Sequence, residues 1–245
     1  MAYVDTILAI VMIPWLVWLF IGLPLVFSHR YDVGHITFHT THRLSFDERK
    51  ALSQMVASAE NQLKRMGMAI DDLKADVFLD KSDLFFKLSL VPGMQLMDFG
   101  SAFTFGSTLL LPNADIAHDR LVLQSKQTYA LSLALAHELV HVWQNRRYGL
   151  RFFPIIVQKT WLVEGYAVYV TDDKIMYDQK ILRRIFANND ASFERHSGEA
   201  YALWGLMVKH AIKDMHISVD DLHRGKVSYD EVYRSLLAKY RLPNK

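Results

Sequence analysis

The chain of 245 residues contains no cysteine. That excludes disulfides, thiol nucleophiles and every cysteine-ligated metal site, so any metal held here must sit on His, Asp or Glu. It does not fix the compartment, because reducing and oxidising environments both tolerate cysteine-free chains. Charge of one sign is lacking too. Against 28 Lys and Arg stand 26 Asp and Glu, a formal net charge of +2, too small for an electrostatic footprint on nucleic acid, and no nucleic-acid partner is expected. There is no G-x-S-x-G elbow, no phosphate-cradling glycine loop and no dinucleotide fingerprint. Internal repeats and low-complexity linkers are also absent.

What one stretch lacks is polarity. From Ile7 to Phe27 the sequence ILAIVMIPWLVWLFIGLPLVF runs for 21 residues without a charged side chain. As a helix it would span roughly 31 Å, the thickness of a bilayer's hydrocarbon core. A cleaved signal peptide fits poorly: no Lys or Arg precedes the run, it is too long, and no small-x-small site follows. A buried core helix is disfavoured by the missing polar face. The expectation is one N-terminal transmembrane helix over residues 1–28, with the bilayer as partner. Pro14 and Pro24 predict kinks, so a bent or partly re-entrant anchor stays open. Arg30 and Arg43 follow the run while no basic residue precedes it, which by the positive-inside rule puts the rest of the chain on the cytoplasmic side of a single-pass membrane protein.

Residues 29–245 read as one α+β domain, a small sheet followed by helices. HRYDVGHITFHTTHRL has the alternation of a half-buried strand, Ile36 and Phe38 against His35, Thr37 and His39. Ser45 and Glu48 make a capping box for a helix that Gly67 closes. Asp76–Asp80 is a short strand. LFFKLSL (84–90) is ambiguous, and Pro92 and Gly93 turn the chain. Ala102–Pro112 reads as one further strand ending at a Pro-Asn turn. From Thr128 the pattern becomes an almost wholly apolar helix, with Arg146 and Arg147 in its last turn and Gly149 just beyond. WLVEGYAVYV, around Glu164, is a strand or a second buried helix. Helices are expected over Gly198–Ile212 and Ser228–Tyr240.

The chemistry lies in the apolar helix. His137 and His141 are four residues apart, which puts them about 40° apart on one helical face, one turn above the other. Two imidazoles so placed can both reach a tetrahedral Zn²⁺. Glu138 stands beside them, able to act on a water in an open metal position; zinc lowers that water's pKa toward about 7, and a carboxylate is the base that takes its proton. The plain alternative is a pair of core histidines. Burying three ionisable side chains in an apolar helix is costly, however, unless a metal and hydrogen bonds satisfy them.

LAHELVHVWQ, followed 23 residues after His141 by Glu164 in WLVEGYAVYV, resembles the gluzincin metallopeptidases, in particular the bacterial peptidase MA-like group. The resemblance covers roughly Ala102 to Tyr240 and takes in Trp161 and the Ala200–Tyr201 pair. It implies a zincin-like fold, Zn²⁺ as cofactor, His137, His141 and Glu164 as ligands, Glu138 as general base, and a peptide or protein substrate. It also implies that a strand, here Phe105 through Leu111, pairs antiparallel with the substrate backbone. Where thermolysin-like members carry an orienting aspartate this chain has Val168, leaving Asp172 or Asp173 as weak candidates for that role. Tyr201 is the choice for donor to the oxyanion of the transition state, with Tyr166 and Tyr169 competing.

The function expected is thus a membrane-anchored zinc metallopeptidase. The alternative is a membrane-tethered zinc-binding assembly or binding module without turnover. A purely structural zinc has no use for Glu138, and such sites usually close with four protein ligands, where three are visible here. His35, His39 and His42 could be imagined as a second metal site, but with no carboxylate evident nearby they are read as an exposed polar strand face.

Overall fold

The computed structural model describes residues 26–80, 103–105, 107–122, 128–149, 160–171 and 198–240. The apolar run before Val26, LFFKLSL and the Pro92–Gly93 turn therefore lie outside the described residues. Among the described residues no helix is long and apolar enough to cross a membrane.

The architecture is α+β, in two compact units, Met1–Val142 and Trp143–Lys245. In the first unit, β1 (His29–Val33), β2 (Ile36–Thr40), β3 (Ala75–Leu79), β4 (Phe103–Phe105) and β5 (Thr108–Leu111) form a sheet in the order β1-β2-β3-β5-β4. β2, β3 and β5 are parallel, while β1 and β4 pair antiparallel at the two edges. Parallel neighbours need a crossover, and helix α1 (Phe46–Arg65) supplies the one between β2 and β3. Register decides which side is buried. Ile36, Phe38 and Thr40 stand opposite Ala75, Val77 and Leu79, and Val77 and Leu79 opposite Leu109 and Leu111. All are buried, as is the stripe Leu52, Met55, Val56, Ala59 and Leu63 of α1, spaced as one helical face requires.

Two single strands expected from the sequence are each two. The alternation around His35 is right, but the chain reverses at Gly34, whose φ of +59° suits the first position of a two-residue hairpin turn. Ala102–Pro112 likewise splits, the chain reversing between Phe105 and Thr108 to pair β4 with β5. Thr108–Leu111 is therefore bonded on both sides, by β3 and β4, and cannot receive a peptide backbone. Among the described strands β4 holds that edge of the sheet. The Pro-Asn turn is present, with Asn113 at φ +53°.

The capping box of α1 is complete: the Glu48 backbone N–H donates to Ser45 Oγ at 3.2 Å and the Ser45 N–H to Glu48 Oε2 at 2.9 Å. The histidines of the sheet correct another expectation. His39 Nε2 lies 2.9 Å from Asp76 Oδ1, its ring stacked on Phe78, and His42 Nε2 lies 3.7 Å from Glu48 Oε1. Carboxylates are present after all: the parallel pairing of β2 with β3 brings Asp76 to His39 from far along the chain, and the first turn of α1 brings Glu48 to His42.

The apolar helix, α2 (Leu131–Tyr148), starts three residues later than expected. Thr128–Ala130 is β8, which joins β6 (Ala114–Asp115) and β7 (Arg120–Val122) in a small antiparallel sheet. A 3₁₀ turn, Ile116–His118, ends at Asp119 in the left-handed region, φ +49°. From there Asp119 caps α2 at a distance. Its carbonyl accepts from Leu131 N–H at 3.1 Å, and its carboxylate accepts from Ser132 N–H at 2.6 Å and Ser132 Oγ–H at 2.7 Å.

The second unit contains α3 (Thr160–Thr171), α4 (Gly198–Lys213), α5 (Val219–His223) and α6 (Tyr229–Tyr240). WLVEGYAVYV is thus helical, and α5 is an addition to the sequence reading, opened by Ser218, whose Oγ accepts from Asp221 N–H at 3.1 Å. Buried His210 joins α4 to α6, with Asp214 Oδ2 at 2.8 Å from Nδ1 and Ser235 Oγ at 2.9 Å from Nε2.

The remote cap yields a direct test. Asp119→Gly keeps the left-handed backbone accessible but removes both carboxylate bonds, and should destabilise the protein by about 1–2 kcal/mol in denaturant titration. Unchanged stability would mean that α2 does not depend on this cap.

Candidate metal centre

Helix α2 buries Leu131, Leu135, Ala136, Leu139, Val140 and Val142. A half-exposed stripe runs beside them through Ala134, His137, His141 and Asn145, residues spaced three and four apart on one face. The two histidines are therefore part-exposed, while Glu138 on the neighbouring face is 5% exposed.

His137, Glu138 and His141 each present a ligand atom within 4.8 Å of the others, a group able to hold a metal ion. The imidazoles meet edge to face, centroids 4.9 Å apart at 82°. Two imidazole nitrogens and a carboxylate are a donor set that suits a borderline divalent cation. Such a buried carboxylate beside two imidazoles is satisfied by a cation together with hydrogen bonds.

Glu164 lies on α3, half-buried in a helix that otherwise has Trp161, Leu162, Tyr166, Ala167, Val168 and Val170 in the core. Gly165 explains part of the WLVEGYAVYV pattern. A Cβ there would stand 2.5 Å from the carbonyl oxygen of Trp204, so α3 and α4 touch backbone to backbone at this point, and only glycine fits. Tyr201 is one turn before Trp204 on α4, their rings 5.4 Å apart. The crossing thus brings Glu164 and Tyr201 to neighbouring turns of two helices within the second unit. Val168 is buried as an ordinary core residue, and Asp172 and Asp173 lie outside the described residues.

Tyr166 and Tyr169, the rivals of Tyr201, are in the core. Tyr166 stacks on Trp143 at 5.8 Å and meets His223 edge-on at 5.1 Å. Burial pushes its hydroxyl well above the ordinary phenol range.

The last turn of α2 is fastened to α5 by residues that the sequence reading did not single out. Arg147 Nε and an Nη each donate at 3.1 Å to one oxygen of Asp220, and the Tyr148 hydroxyl donates to Oδ1 at 2.6 Å. The guanidinium also lies over the Trp143 ring at 5.5 Å. Burial and the Asp220 carboxylate raise the Tyr148 hydroxyl to about 12. Next to these, buried Gln144 donates to the Val163 carbonyl at 3.3 Å and lies 3.1 Å from His223 Nε2.

Compared with models of known protein families and with curated proteins, the chain matches none.

The Asp220 clamp has a pH signature. Hydrogen bonds from Arg147, then Tyr148, hold the carboxyl at about 2 against an ordinary 3.8. Because the folded value is the lower one, the clamp's contribution to stability is fully present above the ordinary value and disappears as pH falls through about 2. Carbon-detected NMR titration should find the Asp220 carboxyl still ionised at pH 3, and Arg147→Met should return it toward the ordinary range. A wild-type carboxyl already protonating in that ordinary range would show that the clamp does not form.

Proposed function

We propose that the protein is a zinc metallopeptidase of gluzincin type, with a zincin-like fold, tethered to a membrane by its N-terminal apolar run. The observation that carries the reading is the meeting of His137, Glu138 and His141 on one helix, with the imidazoles on its accessible stripe and Glu138 sheltered beside them. His137 and His141 would hold the metal, with Glu164 as the third ligand. A zinc ion bound there supplies Lewis acidity, which activates water near neutral pH and polarises the scissile carbonyl. Glu138 takes the proton of the attacking water and passes it to the departing amine. Tyr201 donates its phenol hydrogen to the oxyanion that develops on the substrate, a role favoured by its half-exposed position where Tyr166 and Tyr169 are core. An extended substrate would pair with the edge strand β4. The orientation rule places the peptidase part on the cytoplasmic side, close to membrane substrates.

The metal assignment is tested on the full chain in detergent. It should contain close to one zinc per chain by elemental analysis, with binding severely weakened in His137→Ala and in Glu164→Ala. Full zinc content in both variants would remove the ligand assignment. Turnover is tested on the same preparation with a peptide-library digest. Wild type should cleave, and Glu138→Gln should lose cleavage while keeping zinc. Digests in which neither cleaves would point instead to a tethered zinc-binding module.

Tyr201→Phe should lower kcat by about 10²–10³ with zinc content and folding unchanged. A fall of less than threefold would take the oxyanion role away from this tyrosine.

A further inference from the structure

Gln144 is 1% exposed and lies three residues beyond His141. Its contacts with His223 and Val163 can be resolved into donors and acceptors. His223 Nδ1 is 2.8 Å from the Val219 carbonyl, which can only accept, so the ring hydrogen is on Nδ1 and Nε2 carries a lone pair. The Gln144 amide nitrogen therefore spends both hydrogens, one on His223 Nε2 and one on the Val163 carbonyl. Turning the amide over would set its oxygen against the Val163 oxygen. A charged imidazole would set N–H against N–H. The neutral His223 tautomer and this amide orientation satisfy these three contacts together.

Val163 is the residue before Glu164. The residue after it, Gly165, is pressed against the Trp204 carbonyl, and the next, Tyr166, stacks on Trp143. The peptide on each side of Glu164 is thus held by another helix, while Glu164 itself stays half-open. The Gln144 contact is a directed hydrogen bond, and it comes from the helix that carries both histidines. The ring of His223 is itself enclosed by the rings of Tyr148, stacked at 4.3 Å, and Tyr166.

We infer that Gln144 is a positioning residue of the metal centre: it sets the rotation of α3 at Glu164, and His223 holds Gln144 in the orientation that does so. The inference rests on Glu164 being a ligand, and the experiment separates the two. Co²⁺ is titrated into metal-stripped full chain in detergent, reading affinity and the visible d–d spectrum at saturation. Glu164→Ala is the reference for a lost carboxylate ligand. Gln144→Met keeps length and burial without a donor; it should weaken Co²⁺ binding by about 10–100-fold and shift the saturated spectrum toward that of Glu164→Ala. A purely structural Gln144 would lower the unfolding temperature and leave the saturated spectrum unmoved, which overturns the proposal. Should Gln144→Met fail to fold, His223→Phe decides: it keeps an aromatic ring beside Tyr148 but removes the acceptor, and a wild-type spectrum there overturns the proposal equally. A wild-type spectrum in Glu164→Ala defeats the ligand reading itself, and the positioning role with it.

Discussion

A helix that presents two imidazoles on an open stripe cannot rely on burial alone to hold it, and α2 is fastened at both ends by aspartates from other segments. At its start Asp119 takes up the orphan N–H of Leu131 on its backbone carbonyl and that of Ser132 on its carboxylate, from a backbone conformation that non-glycine residues seldom adopt. At its end the Asp220 carboxylate receives a two-pronged Arg147 and the Tyr148 hydroxyl. Between these fixed ends the spacing of His137 and His141 is a property of the helix alone. The two imidazoles can stand part-exposed because the stiffness comes from the ends.

The second unit meets the complementary requirement. A lone carboxylate on an apolar helix is useful only if the helix cannot roll, and α3 is packed too closely to roll at that point. Glycine at 165 lets two backbones touch where any side chain would hold them apart. The next residue, Tyr166, then packs its ring against those of Trp143 and Tyr169. Neither feature is chemical in itself, yet together they fix the stretch of α3 that directly follows Glu164.

How much of this could be read from the chain follows from how local each signal is. The capping box at Ser45 and Glu48 spans three residues and is visible in both sequence and structure. The grouping of His137, Glu138 and His141 needs only the helical repeat, so it too is legible. The hairpin at Gly34 is marked only by one glycine and a shift of phase, the inward positions running through Tyr31 and Val33 on one arm and Ile36 and Phe38 on the other, a signal too short to stand out. The start of α2 was misplaced for a different reason: its cap lies 13 residues upstream in another turn. His39 and Asp76 meet across 37 residues, and Gln144 and His223 across 79. Pairings of that kind are set by register and helix packing, which periodicity does not encode. The site's histidines were therefore readable, whereas the groups that hold the site in place were not.

Phe27 closes the apolar run and is also a core residue, its ring edge-on to Phe78 at 5.3 Å. One residue, Ser28, separates it from the first residue of β1. The run therefore joins the sheet without slack. Tension applied to the N-terminal segment would pass straight into the edge strand, loading the β1–β2 hydrogen bonds rather than stretching a spacer.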